Sequence, residues 1–206
     1  MSRKPVSLLL GVAVGALLSA STAVAQTYDK SKTTDTSKSR MGQTSSSTSL
    51  ASSDASFLKK AALGGLEEVE LGKLAADKAS NPDVKAFGQK MVDDHTRSND
   101  GLMKLAQQKN LQVPSAPDAS GKREIDKLSK LSGAAFDKAY MKEMVEDHKK
   151  DVAEFQNAAN TAKDSDVKNF ASTTLPTLKE HLDMAKTDHA KVAGVKTSKA
   201  KTAGTS

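Results

Sequence analysis

Four ionisable residues lie on the apolar faces of predicted helices, where apolar side chains are expected. They fall there at 100° per residue, each in a helix of its own: Glu68, His95, His148 and His181. Each also lies close to the middle of its helix, so an antiparallel bundle would bring all four to one level. Because buried imidazoles and carboxylates need partners, we expect them to bond to one another, to water or to a metal ion.

Three imidazoles and one carboxylate are a ligand set for a single metal ion. Ligand type alone allows Zn, Fe, Mn or Cu. The same four groups could instead form a structural polar cluster with a trapped water that fixes the register of the helices. No spacing motif such as HExxH favours the metal. Metal binding by Glu68, His95, His148 and His181 is therefore one of two hypotheses at this point.

Other catalytic chemistry has no support in the chain. It contains no cysteine, no nucleophile with an adjacent base and no glycine-rich phosphate loop. We therefore predict no catalytic residue, and an enzymatic activity would depend on the metal alone.

A repeated segment surrounds two of the histidines. Residues 85–95 read KAFGQKMVDDH and residues 138–148 read KAYMKEMVEDH, which indicates a repeated structural unit. An acid precedes each histidine, as it also does at His181 and His189. Adjacent helical residues point about 100° apart, so such an acid cannot easily reach its own neighbour's ring but could reach an imidazole on the next helix. His189 is expected to interact with a helix C-terminus rather than with the cluster.

Four long helices must position these residues, and the periodicity of the apolar residues predicts them. Asp54 and Ser165 are expected to cap the first and the last, and Pro82 suits the first position of the second. Short connections make two antiparallel hairpins, whereas the stretch between the second and third long helices can cross the bundle. We therefore predict an all-α, ferritin-like four-helix bundle over residues 54–193 (hairpin, crossover, hairpin), with a short extra helix in the crossover. The predicted helices span residues 54–80, 82–110, 122–131, 134–161 and 165–192.

Both ends of the chain differ from this region in composition. Residues 1–25 have a basic start, an apolar run and a small-residue cleavage site (Ala23 to Ala25), which predicts a signal peptide and export to the periplasm or cell envelope. Residues 26–53 form a Ser/Thr/Lys-rich linker and residues 194–206 a basic tail, and both are predicted to be disordered. The formal charge of +6 is mild and alternates along the helices, so it indicates no nucleic-acid face. Weak contact of the tail with anionic envelope components is the one partner that composition allows.

The folded part resembles a known family. The resemblance is carried by residues 68–75 (EVELGKLA), 91–95 (MVDDH), 131–140 (LSGAAFDKAY) with His148, and 175–182 (LPTLKEHL). From about residue 57 to residue 190 the chain is similar to exported bacterial helical bundles catalogued as domain of unknown function 4142. The resemblance implies a ferritin-like fold and export, and it implies no activity.

The sequence departs from the di-iron pattern of ferritin-like bundles. Those sites take a Glu from each of two helices and a Glu-x-x-His pair from each of the other two. The residues three positions before the three histidines are Val92, Val145 and Leu178. A di-iron oxidase or ferroxidase is therefore disfavoured.

The sequence thus predicts an exported helical-bundle protein without an assigned molecular activity. Its expected role is that of an envelope structural or stress-related interaction protein. The alternative is a mononuclear metal-binding or metal-sequestering bundle that uses Glu68 and the three histidines.

Overall fold

The computed structural model describes residues 50–194, whose regular secondary structure is helical with no strand among them. There are four long helices and one short one: α1 (Ser52–Lys78), α2 (Pro82–Gln108), α3 (Ala119–Ser129), α4 (Gly133–Thr161) and α5 (Ser165–Val192). The prediction of an all-α bundle is confirmed. The predicted signal peptide, most of the linker and the tail beyond Gly194 lie outside the described residues. In this part of the chain, no helix is long and apolar enough to cross a membrane.

The helix boundaries follow from local chemistry. Pro82 is the first residue of α2, as predicted, and the Asn81 side chain caps it by accepting a hydrogen bond from the Asp83 amide at 2.8 Å. Asp118 caps α3 in the same way. The cap of α5 is Asp164 and not the predicted Ser165, because the carboxylate of Asp164 accepts from two backbone amides of the first turn.

The long helices form two hairpins that pack side by side. Helix α1 pairs with α2 and α4 pairs with α5, while α1 also packs against α4 and α2 against α5. The short helix α3 lies in the crossover and contacts α1 and α4. Two close glycines, Gly72 and Gly88, permit the near approach of α1 and α2, since a Cβ on Gly72 would lie 2.7 Å from the Gly88 carbonyl oxygen.

Two buried aspartates join the hairpins end to end. Asp54, near the start of α1, accepts hydrogen bonds from the amides of Lys163 (2.9 Å) and Asp164 (2.8 Å) in the α4–α5 turn. Asp137, near the start of α4, accepts from the amides of Ser80 and Asn81 in the α1–α2 turn, both at 3.0 Å. The prediction that Asp54 caps its own helix was therefore wrong: α1 begins at Ser52, and Asp54 lies inside its first turn. These contacts also set the direction of the helices, because each hairpin's first helix starts beside the other hairpin's turn. Helices α1 and α4 are therefore antiparallel.

The buried face of α1 differs from the predicted one in its first half. The periodicity of the apolar residues by itself predicts Phe57, Ala61 and Gly64 on the buried face, whereas the residues one position later are the buried ones: Leu58, Ala62 and Gly65. The predicted set is partly exposed, although Phe57 still packs edge-on against Phe155 with ring centroids 5.0 Å apart. Small residues give this stretch little amphipathic contrast, so the pattern located the face only to within one position.

The apolar core has two ends with a polar layer between them. One end is built around Leu71, Met91, Tyr140, Met144 and Ala185, and the other around Ala62, Leu102, Phe155, Val167 and Leu178. On each long helix the predicted polar residue lies between residues of the two ends. The fold thus places one ionisable side chain per long helix at mid-height.

Candidate metal centre

All four residues singled out from the sequence are buried and come together. Glu68, His95, His148 and His181 are between 0% and 5% exposed. The ring centroids of the three histidines lie 5.4 to 5.8 Å apart. Glu68 lies against two of the rings, with Oε2 3.0 Å from His95 Nδ1 and Oε1 3.4 Å from His148 Nδ1. His189 lies about two turns further along α5 and is not one of the group.

One nitrogen of each ring is held by a neighbouring acceptor. His95 Nδ1 lies 3.0 Å from Glu68 Oε2, and His148 Nδ1 donates to the carbonyl oxygen of Met144 at 2.9 Å, one turn earlier on α4. His181 Nε2 donates to Asp94 Oδ2, also at 2.9 Å. Because a neutral imidazole carries one proton, the hydrogen bonds of His148 and His181 fix the tautomers of these two rings, and the carboxylate beside His95 Nδ1 favours the proton on that nitrogen.

The other nitrogen of each ring has no hydrogen-bond partner. These atoms are His95 Nε2, His148 Nε2 and His181 Nδ1, and all three are buried. The three histidines are also grouped closely enough to be a candidate metal site, because one nitrogen from each ring lies within 4.8 Å of one from each of the others. The tautomers leave all three unpartnered nitrogens with a lone pair and without a proton, which is the state in which imidazole binds a metal.

Electrostatics keeps the rings neutral. Burial lowers the pKa of His95 and of His181 to about 4 and lowers the pKa of His148 as well, against an ordinary value of 6.5. At neutral pH no proton therefore competes for the unpartnered nitrogens.

Asp94 is the one acid of the four acid–histidine pairs that reaches a ring on another helix. It lies on α2 and holds His181 on α5. Burial alone would raise its pKa, but hydrogen bonds from His181, Lys90 and Arg97 outweigh that effect and lower the pKa to about 2. The acids before the other histidines bond to lysines instead: Asp147 to Lys150, Glu180 to Lys90 and Asp188 to Lys191.

Sequence reasoning missed a second carboxylate in the site. Asp151, one turn after His148 on α4, is partly exposed and lies beside Glu68. Burial raises the pKa of Glu68, and burial together with the Glu68 charge raises the pKa of Asp151 well above its usual range. A hydrogen bond from Asp151 acts against this and lowers the pKa of Glu68, although burial is the larger effect. Its spacing of three residues from His148 could have identified it.

The arrangement can supply three nitrogen ligands and leave a fourth position open. Glu68, Asp94 and the Met144 carbonyl orient the rings through the opposite nitrogens, which is how outer-shell groups position metal-binding histidines. Glu68 was predicted as a fourth ligand. The structure places it on the Nδ1 side of two rings and leaves its Oε1 without a hydrogen-bond partner.

The fold and the site together define the class of protein: it is an all-α bundle with a buried histidine triad. The model of the family described as Domain of unknown function (DUF4142) matches residues 39–187, and the chain belongs to this family. A solved structure described as "Crystal structure of DUF305 fragment from Deinococcus radiodurans" is similar in fold, with a TM-score of 0.61 at 10% sequence identity. The similarity covers 69% of this chain and 98% of that one. No curated protein matches the chain.

Proposed function

We propose that the protein binds a single first-row transition-metal ion through His95 Nε2, His148 Nε2 and His181 Nδ1. One observation carries the proposal. These three buried nitrogens have no hydrogen-bond partner, whereas the second nitrogen of every ring lies against an oxygen acceptor. Contacts of this kind, made to the ring nitrogen opposite the binding nitrogen, orient a histidine for metal binding.

A purely structural cluster explains these atoms less well. Three lone pairs in one buried group need donors, and burying an acceptor without one costs about 1 to 3 kcal/mol. A single trapped water donates two hydrogen bonds, so it would leave one of the three nitrogens unsatisfied. One cation satisfies all three.

The donor set favours some ions over others. Imidazole nitrogen suits Zn, Cu, Fe and Ni, whereas Mn and Mg prefer oxygen. Sequence reasoning allowed Zn, Fe, Mn and Cu equally, because it counted Glu68 among the ligands. With three nitrogens as the ligands, Cu(II) and Zn(II) should bind more tightly than Mn(II). The neighbouring carboxyl groups of Glu68 and Asp151 offset part of the cost of a buried positive charge.

The test is a titration of the full chain with Zn(II), Cu(II) and Mn(II) by calorimetry and thermal melting. We expect one ion per chain, and at a free-ion concentration 100 times Kd a stabilisation of about 2.7 kcal/mol. His148→Leu and His181→Leu should lose this gain, and His189→Leu, outside the cluster, should keep it. Equal gains in wild type and both triad variants would contradict the proposal.

Export and an envelope role are a separate proposal, which rests on the composition of residues 1–25. Mass spectrometry of the exported protein should find a chain that begins at Gln26. An intact Met1 in the exported form would contradict it.

A further inference from the structure

A small cavity adjoins the histidine triad on one side. Its volume is about 20 Å³, and its polar lining includes Glu68, His95 and Asp151. Two of these residues carry a buried polar atom without a partner, Glu68 Oε1 and His95 Nε2. The inner lining of the cavity therefore includes two residues that carry unsatisfied ligand atoms.

The lining changes from partly exposed to buried residues. Gly64, Ser98 and Asp151 are partly exposed, whereas Glu68 and His95 are 3% and 5% exposed. Gly64 lines the cavity beside Asp151, and a Cβ added there would lie 4.0 Å from Asp151 Oδ1. Carboxylate oxygens thus precede imidazole nitrogen on the way from the surface of the bundle to its centre.

We propose that this cavity is the path by which a divalent metal ion reaches the histidine triad, with the carboxyl oxygens of Asp151 and Glu68 as transient ligands. The inference rests on the proposed function and adds the route and the two residues that the ion contacts first. It also gives Asp151 a role outside the final ligand set.

The size of the path decides what can pass. A cavity needs roughly 10 to 15 Å³ to hold one water, so about 20 Å³ admits one water or one ion without its full hydration shell. Oxygen ligands along the wall replace the water that the ion sheds. A chelator such as EDTA is too large to follow, so the ion must leave the protein before a chelator captures it.

Gly64→Ala narrows the path by one methyl group with little risk to the fold, because alanine favours a helix more than glycine does. Gly101→Ala is the matched control, as Gly101 is an exposed helical glycine with nothing within 4 Å of an added Cβ. Stopped-flow measurements on the full chain would record Zn(II) uptake, and release into EDTA. We expect Gly64→Ala to slow both rates roughly tenfold, the effect of crowding by one extra methyl group, with Kd unchanged. Gly101→Ala should match wild type.

Two further measurements separate a path from a merely structural effect. Asp151→Asn should slow uptake several-fold, because it removes the first carboxylate that the ion meets. Release from wild type should be independent of EDTA concentration. The path would be overturned, and the proposed function left standing, by either of two results. One is that Gly64→Ala binds and releases Zn(II) at wild-type rates, and the other is that the release rate rises with EDTA concentration. Absence of Zn(II) binding in wild type would overturn both.

Discussion

Removal of the Asp137 carboxylate should destabilise the fold more than removal of an exposed aspartate within a helix would. The side chain is 3% exposed and accepts hydrogen bonds from the amides of Ser80 and Asn81 and from the Ser80 hydroxyl. Asp137→Ala leaves the two amides and the hydroxyl without this acceptor. At about 1 kcal/mol of net stability for each of the three hydrogen bonds, we expect a loss of about 3 kcal/mol.

Asp54 provides an internal comparison. It is also 3% exposed, but it accepts from two amides only, those of Lys163 and Asp164. Asp54→Ala should therefore cost about 1 kcal/mol less than Asp137→Ala, one hydrogen bond's net worth. Asp100→Ala, at an exposed position within α2, serves as the control and should change stability by less than about 0.5 kcal/mol.

Urea denaturation followed by far-UV circular dichroism measures all three variants against wild type. The slope of the free energy of unfolding with urea should stay constant, so that the shift in midpoint reports stability. A loss at Asp137→Ala no larger than that of Asp100→Ala would refute the reasoning. It would mean that the α1–α2 turn does not depend on this carboxylate.

Three other outcomes are expected. Asp94→Asn should weaken metal binding roughly 10- to 100-fold by loosening the ring of His181, and a competition titration with unchanged affinity would contradict this. Burial, together with the nearby acids, raises the pKa of Glu67 from 4.5 to about 7, so the folded state disfavours the ionised form. The contribution of the protonated Glu67 to folding stability is present below about pH 4.5 and is lost as pH rises through 7. Glu67→Gln should therefore raise Tm at pH 8 and change it little at pH 4.5. Equal shifts of Tm at both pH values would count against this prediction. Finally, because the positions three before the histidines are apolar, aerobic Fe(II) should be oxidised no faster with the protein than without it; catalysed oxidation with saturation kinetics would show a different ligand set.

The long helices and the inward direction of the four polar residues could be predicted from local sequence. Each polar residue has apolar neighbours three and four positions away, such as Met91 before His95 and Leu178 before His181. This spacing alone fixes the face on which a helical residue lies. Short turns then determine which helices are neighbours, so the common level of the four residues followed.

The acceptors of the hydrogen bonds could not be predicted in the same way. Asp54 serves a turn more than 100 residues away in the chain, and nothing in its local spacing distinguishes that role from a helix cap. The choice between Nδ1 and Nε2 in each histidine depends on which acceptor lies opposite, and that is known only once the helices are packed. Asp151 could not be singled out from the apolar pattern either, because the apolar stripe predicted for its helix passes through the adjacent Val152.

The chain contains two internal similarities. The stronger one does not correspond to the structural repeat, which is the hairpin. The similarity of residues 85–95 to residues 138–148 relates α2 to α4, which belong to different hairpins. A weaker similarity, between residues 83–87 (DVKAF) and 166–170 (DVKNF), relates the two hairpins themselves at a separation of 83 positions. The same separation relates Asp54 to Asp137 and Glu68 to Asp151 (137 − 54 and 151 − 68). Each hairpin thus contributes one aspartate to the other's turn and one carboxylate to the site.

The most direct test of metal binding at the triad observes the imidazole nitrogens themselves. The chain has four histidines, so long-range 1H–15N NMR spectra of the labelled protein can resolve every ring. Addition of one equivalent of Zn(II) should shift His95 Nε2, His148 Nε2 and His181 Nδ1 and leave both nitrogens of His189 unchanged. Spectra in which these three nitrogens do not respond, or in which His189 alone responds, would contradict the proposed metal centre.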